Sequence, residues 1–299
     1  MKKINRILFE KPNLAELVTN HTVVDMHFHT RFSDGRNSIK DIVKRARKIG
    51  IGIGITDHNS IDGAVELSRY KDILNIPGIE ITSKTGTHVL VYFYDVESLK
   101  NFYNKDIKPY RGHDVMSSIS LEMEEIIRRA KAFKSLTIFP HPYCAAYTGI
   151  FNPTLSKTRI NRLLDMIDGI EVINAGNLNR WNLKSALLGF NLNKAIIGGS
   201  DGHTLSHMGK AVSYARCKKK RKNFLDSIKK KHNKVMGKEI DLFRKFASNS
   251  YKMKAGLKNY PGLMEKNIRY SYTVINSTSK RLKANVTRKL DKRRNRHHI

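Results

Sequence analysis

"VVDMHFHTRFSDG", residues 23–35, opens as a β-strand and closes as a loop, and four of its side chains, Asp25, His27, His29 and Asp34, are of metal-ligand type. Side chains alternate across a strand, so Asp25, His27 and His29 are expected on one face. Imidazoles on the inner face of a strand need a reason, and the reason depends on whether other strands share the habit.

Six further strand-like runs follow: "GIGIT" at 52–56, "IPGIEIT" at 76–82, "HVLVYFY" at 88–94, "LTIFPH" at 136–141, "GIEVINA" at 169–175 and "KAIIGGSD" at 194–201. Helical patterns lie between them. "SIKDIVKRARKIG" at 38–50 puts Ile39, Ile42, Val43, Ala46 and Ile49 on one stripe, with Ser38 placed to cap it and Gly50 to stop it. Similar patterns cover 121–134, 157–167 and 178–188. Strands alternating with helices predict an α/β fold with a parallel, helix-covered sheet, and seven strands fit a TIM-like barrel. The long polar connection at 95–120 breaks the rhythm and is expected to act as a lid.

In an α/β barrel the C-terminal strand ends face the catalytic mouth. Here the second run ends at Asp57 and His58, the third carries Glu80, the fourth opens with His88, the fifth ends at His141, and the seventh leads into Asp201 and His203. Independent structural histidines have no reason to gather at so many strand ends. Six imidazoles with carboxylates can hold two or three divalent ions, whereas unpartnered burial would cost roughly 1–3 kcal/mol per group. Asp57, of opposite parity, is read as structural. Asp25 is read as orienting a ligand histidine or capping backbone groups. Glu171 and Asn174 are candidates for the lining of the mouth.

Charge divides the chain. The net charge is +30 over 299 residues, and residues 218–299 alone carry 26 basic and 5 acidic side chains. The expected organisation is an N-terminal lead at 1–21, a barrel at 22–217 and a basic, helical extension at 218–299. Two cysteines are too few for a disulfide framework and suit a reducing compartment. The opening residues lack a signal-peptide pattern and no run is long enough to span a membrane, so a cytoplasmic protein is expected.

The series "DMHFHTRFSDG", "GITDHNSIDGA", "GIEIT", "HVLVYFY", "FPHP" and "GGSDGH" resembles the PHP superfamily, named for polymerase and histidinol phosphatase, over about residues 22–215. The resemblance implies a distorted seven-stranded β/α barrel with a trinuclear site. One ion would take His27, His29, Glu80 and Asp201, a second would share Glu80 with His88 and His141, and a third would take Asp34, His58 and His203. Asp34 enters the set only through the resemblance, since spacing alone reads "SDG" as a turn. The implied activity is phosphoester hydrolysis by a metal-activated hydroxide, with zinc, manganese or iron all compatible with a thiolate-free ligand set.

Three functions follow as expectations. The first is a phosphoesterase acting on nucleotides or 5′-phosphorylated oligonucleotide ends, with the basic extension binding nucleic acid through its phosphates. The second is a small-molecule phosphomonoesterase of the histidinol-phosphatase type. The third, a non-catalytic nucleic-acid-binding accessory protein, is opposed by the complete ligand set. Lys84, Arg111, His113 and Arg180 are candidates for contact with a substrate phosphate, and no general acid is assigned.

Overall fold

The computed structural model describes residues 6–144 and 148–240. The apolar clusters "DLFRKFA" and "YPGLM" of the basic extension lie outside them, as do Tyr251, Tyr260, Tyr270 and Tyr272, which the sequence offers as base-stacking residues.

Ten strands form one sheet among the described residues, in the order β1 (Ile7–Leu8), β10 (Lys234–Gly237), β9 (Ala211–Ala215), β2 (Thr22–Phe28), β3 (Gly52–Ile55), β4 (Asn75–Thr82), β5 (His88–Phe93), β6 (Ser135–Phe139), β7 (Gly169–Asn174) and β8 (Ala195–Gly199). All seven expected strands are present. Three short additional strands extend the sheet beyond β2, which the apolar runs at 22–201 do not foretell. The sheet curls until a parallel bridge between Phe28 and Gly202 joins the segment after β8 to β2.

The sheet is mixed, not parallel throughout. β5 runs antiparallel to both β4 and β6. The hairpin Ser83–Thr87 that joins β4 to β5 is too short for a crossover, so the chain must reverse. The reversal brings the start of β5 to the same rim as the end of β4. His88 and Glu80 therefore meet although they lie at opposite ends of their strands.

Helices α1 (Leu14–Asn20), α2 (Ile39–Ile49), α3 (Asp62–Leu67), α4 (Val96–Phe102), α5 (Met123–Lys131), α6 (Lys157–Met166), α7 (Asn179–Asn191) and α8 (Arg221–Lys229) are described. In α2, Ser38 accepts the backbone N–H of Asp41, and Gly50 closes the helix at φ 75°, a left-handed conformation that glycine adopts without a Cβ penalty. One apolar cluster fills the curl and includes Met26, Leu90, Tyr92, Ile138 and Ile197, with Phe224 and Ile228 of α8 against it. The other lies between sheet and helices. α8 lies at the far end from the rim, where Arg221 donates to the backbone of Asn75, the first residue of β4.

Two local expectations change. The connection at 95–120 is not an open loop: α4 continues into a π-helical turn at Tyr103–Ile107 and a 3₁₀ turn at Lys108–Tyr110. Leu99, Phe102 and Ile107 are fully buried, so apolar anchors inside the polar stretch fasten it to the core. The second change concerns β2. Its register against β3 slips between Asp25 and Phe28, so an extra residue interrupts the alternation. Val24 and Met26 join the inner cluster while Phe28 joins the outer one. The slip re-aims His27 and His29 into the mouth and leaves Asp25 turned to the backbone N–H groups of Ser200 and Gly209.

Candidate metal centre

Nine side chains from six strand ends and their loops converge at one rim: His27, His29, Asp34, His58, Glu80, His88, His141, Asp201 and His203. Two imidazole nitrogens there each approach the same two carboxylate oxygens. His27 Nε2 and His29 Nε2 are 3.2 Å apart, each lies 3.5 Å from Glu80 Oε2, and Asp201 Oδ1 is 3.5 Å from the first and 3.1 Å from the second. A tetrahedral shell with ligand bonds of 2.0–2.1 Å has edges of about 3.4 Å. Lone-pair atoms at these spacings fit a divalent cation.

Two further groupings share members with the first. Glu80 Oε1 lies 2.8 Å from His88 Nδ1 and 3.2 Å from His141 Nε2, so the carboxylate reaches two groupings with its two oxygens. Asp34 Oδ2 lies 2.8 Å from His203 Nε2, and Asp34 Oδ1 lies 3.5 Å from His29 Nδ1 and 3.9 Å from His58 Nε2. His58 also sits with His29 and Glu80, 3.1 Å from Glu80 Oε2. The clusters are able to bind metal, and they overlap at His29 and Glu80.

The electrostatics suit a cation site. Burial disfavours charge on His27, yet Glu171, Asp201 and Glu80 hold its pKa well above the ordinary value. Burial likewise opposes charge on Glu80, but His88, His58 and His27 keep it well below the carboxylate range, and Asp201 is held down by His27 and His29. For His58 burial dominates and the pKa falls well below normal. The carboxylates are thus ionised, and their field draws protons onto imidazoles where a cation would serve.

Backbone strain concentrates here as well. His141, Asp201 and Asn59 have positive φ, at 28°, 49° and 44°. Such conformations persist where the surroundings over-determine them, commonly at functional sites. Asn59 is held from several sides: its side chain donates to the carbonyls of Val115 and Ser117 and accepts from the N–H of Thr82. It ties the 112–120 segment to the residue beside His58.

Supporting residues were only partly visible in the sequence. Glu171 lies behind the cluster, accepting from the His141 N–H and sitting 3.0 Å from His27 Nδ1. Asn174 donates to Glu171 and to Asp201 Oδ2. Both are buried, so they orient ligand-type residues from behind. Asp57 accepts from the Thr30 N–H, the Thr30 hydroxyl and the Ser33 hydroxyl, fixing the turn that carries Asp34. Cys144 accepts from Gly149 N–H, and the neighbouring Thr148 carbonyl accepts from His88 N–H. This loop contact had no signal in the sequence.

The four candidate substrate contacts are dispersed. Arg111 donates to the carbonyl of Asn59, next to His58. Lys84 stands on the β4–β5 hairpin, 3.6 Å from Glu122. Arg180 lies over the Trp181 ring at the start of α7, and His113 is exposed in the 112–120 segment. They form no single anion cradle.

A family model, the PHP domain, matches residues 25–245. The chain belongs to the PHP domain family. Members of this family are metal-dependent phosphoesterases. The match runs through α8 and β10, and β10 lies between β1 and β9 in the sheet. No curated protein matches the chain.

Among solved structures, the PHP chain is similar to a two-domain protein containing a predicted PHP-like metal-dependent phosphoesterase from Bacteroides vulgatus, with TM-score 0.55, 19% identity, and coverage of 83% of this chain and 74% of that one. It also resembles the lesion-specific endonuclease PfuEndoQ from Pyrococcus furiosus, with TM-score 0.58, 18% identity and coverage of 72% and 57%. An endonuclease Q complex with a 27-mer duplex bearing an abasic lesion at its active site aligns at TM-score 0.59 and 17% identity, with coverage of 73% and 60%. The chain therefore spans under two thirds of the endonuclease chains, and at these identities the likeness is one of fold. No helix among the described residues is long and apolar enough to cross a membrane.

Proposed function

We propose that this PHP domain hydrolyses phosphate esters of nucleotides or of 5′-phosphorylated oligonucleotide ends. The observation that carries the reading is the pair His27 Nε2 and His29 Nε2, 3.2 Å apart, each within 3.5 Å of both Glu80 Oε2 and Asp201 Oδ1. These four form the first metal site, Glu80, His88 and His141 the second, and Asp34, His58 and His203 the third. Divalent ions held there supply Lewis acidity and lower the pKa of water toward 7.

The protein's own residues do the rest by position. Glu80 spans two sites with its two oxygens. Glu171 holds the His27 ring through Nδ1, leaving Nε2 directed at the cluster. Arg111, which donates to the carbonyl of Asn59 next to His58, is assigned to a substrate phosphate, with Lys84, His113 and Arg180 as outer contacts. A nucleic-acid substrate is favoured by the net charge of +30, because neutralised phosphates release counterions and strengthen binding at low salt. The endonuclease Q complex supports the choice, since that protein, similar in fold, holds a 27-mer duplex substrate with an abasic lesion at its active site.

The test is a time course of 5′-phosphorylated, 3′-labelled RNA with manganese-loaded protein, run beside His27→Ala/His29→Ala. Shortening from the 5′ end that the variant lacks is the expected result. Intact RNA from a protein that retains its metals, with turnover of a small phosphomonoester, would replace this reading by the histidinol-phosphatase type.

A further inference from the structure

α7 is inverted. Its buried residues are small or polar, Asn182, Ser185, Ala186 and Gly189, while Leu183, Leu187 and Phe190 are 47%, 63% and 55% exposed. The inward face is small because the helix lies close on the sheet: a Cβ on Gly189 would stand 2.8 Å from Val172 Cγ1. The outward residues are spaced i, i+4 and i+7, which places them on one side of the helix. α2 and α5 do the reverse and bury their apolar stripes. At the foot of the α7 stripe lies a hollow of mixed lining, with Ile7, Phe190 and Ile196 beside Arg6, Asn193 and Lys194.

The course of the chain indicates what covers this face. After β10 the backbone returns to the top of α7, where Glu239 accepts from the N–H of Asn179 and Ile240 N–H donates to the carbonyl of Ala175. The described chain therefore ends beside Asn179, one helical turn before Leu183. The sequence that follows, "DLFRKFASNS" at 241–250, spaces Leu242, Phe243 and Phe246 as one apolar side of a helix would require. The stripe from Leu183 to Phe190 is about 10 Å long at 1.5 Å per residue, within reach of ten residues of either helical or extended chain. A segment tethered at the edge of its own site acts at an effective concentration of order millimolar, so it outcompetes a second copy at ordinary protein concentrations. Arg180 and Lys184 on α7 and Arg244 and Lys245 in the segment carry the same sign, so the contact has to be apolar.

We propose that residues 241–250 dock on the outer face of α7, with Leu242, Phe243 and Phe246 against Leu183, Leu187 and Phe190. Docking anchors the start of a stretch that carries 16 basic and 3 acidic side chains from 241 to 299. The last described residue, Ile240, is bonded to Ala175, the residue after Asn174 at the rim of the metal centre. The docking itself does not depend on which phosphate ester is the substrate.

Limited trypsin digestion of the full chain, followed by mass spectrometry, reads cleavage after Arg244 and Lys245. Proteolysis in this regime follows the population of the open form. Leu187→Asp/Phe190→Asp changes only exposed positions and is expected to raise that cleavage rate at least tenfold, with the thermal melting temperature and bound metal unchanged. Phe243→Asp/Phe246→Asp is expected to give the same rise, and combining the two pairs to add nothing. Rates within twofold of the unsubstituted chain would overturn the proposal. So would a dimer, seen by light scattering, that Leu187→Asp/Phe190→Asp dissolves, because a second copy would then be the occupant.

Discussion

Glu171 and His27 meet at 3.0 Å through Oε1 and Nδ1, both side chains fully buried, although 144 residues separate them in sequence. A carboxylate on the far nitrogen of a ligand imidazole fixes its tautomer and raises its basicity. Glu171→Ala is expected to weaken metal binding by about 10- to 100-fold, with Glu171→Gln weaker in effect because the amide still fills the position. Chelator competition measures the change. An unaltered affinity in Glu171→Ala would show that the pair is packing only.

Gly199 faces His27 at closest range. A Cβ there would stand 2.3 Å from His27 Cβ and 2.6 Å from His27 N, a backbone neighbour that has little room to move. Gly199→Ala should cost about 1–3 kcal/mol, lowering the melting temperature by several degrees, and should reduce metal content by displacing His27. Calorimetry with metal analysis checks both. A stable variant with full metal would mean that β2 and β8 yield freely.

Ions in the cluster should stabilise the fold. Chelation leaves Glu80 and Asp201 ionised among imidazoles, and binding to the native state alone contributes about 2.7 kcal/mol per site at one hundred times the dissociation constant. Chelated protein is expected to melt earlier and to recover when manganese or zinc is restored. A melting temperature indifferent to both treatments would contradict the assignment of the sites.

Glu124 binds Arg159 through two short contacts and Arg162 through a third, at 2.9, 2.7 and 2.9 Å. Arg159 holds its carboxyl at about 2, below the ordinary value of 4.5. A depressed folded-state pKa means stabilisation that is complete above the unfolded value and lost as pH falls toward 2. Solvent screening limits the contribution to about 1 kcal/mol. Urea unfolding of metal-stripped protein should show Glu124→Gln weaker by that amount at pH 7 and equal to the unsubstituted chain near pH 2. A gap that persists at pH 2 would place the effect in packing.

The sequence by itself determined the seven principal strands, the capped helix at 38–50 and the gathering of His27, His29, His58, Glu80, His88, His141, Asp201 and His203 at strand ends. These follow from local rules: alternation, helical period, and the tendency of barrel strands to deliver reactive groups to one rim. Tertiary structure alone decided the direction of β5, the register slip that separates Asp25 from His27, and the roles of Glu171 and Asn174 behind the cluster. It alone also showed that α7 turns its small residues inward. Each of these depends on which distant segment lies alongside. Alternation along β2 cannot reveal the extra residue opposite β3, and no spacing near Glu171 encodes a partner 144 residues away. Chain reversal, register and close helix packing are set by neighbours, so they appear only when the sheet has closed.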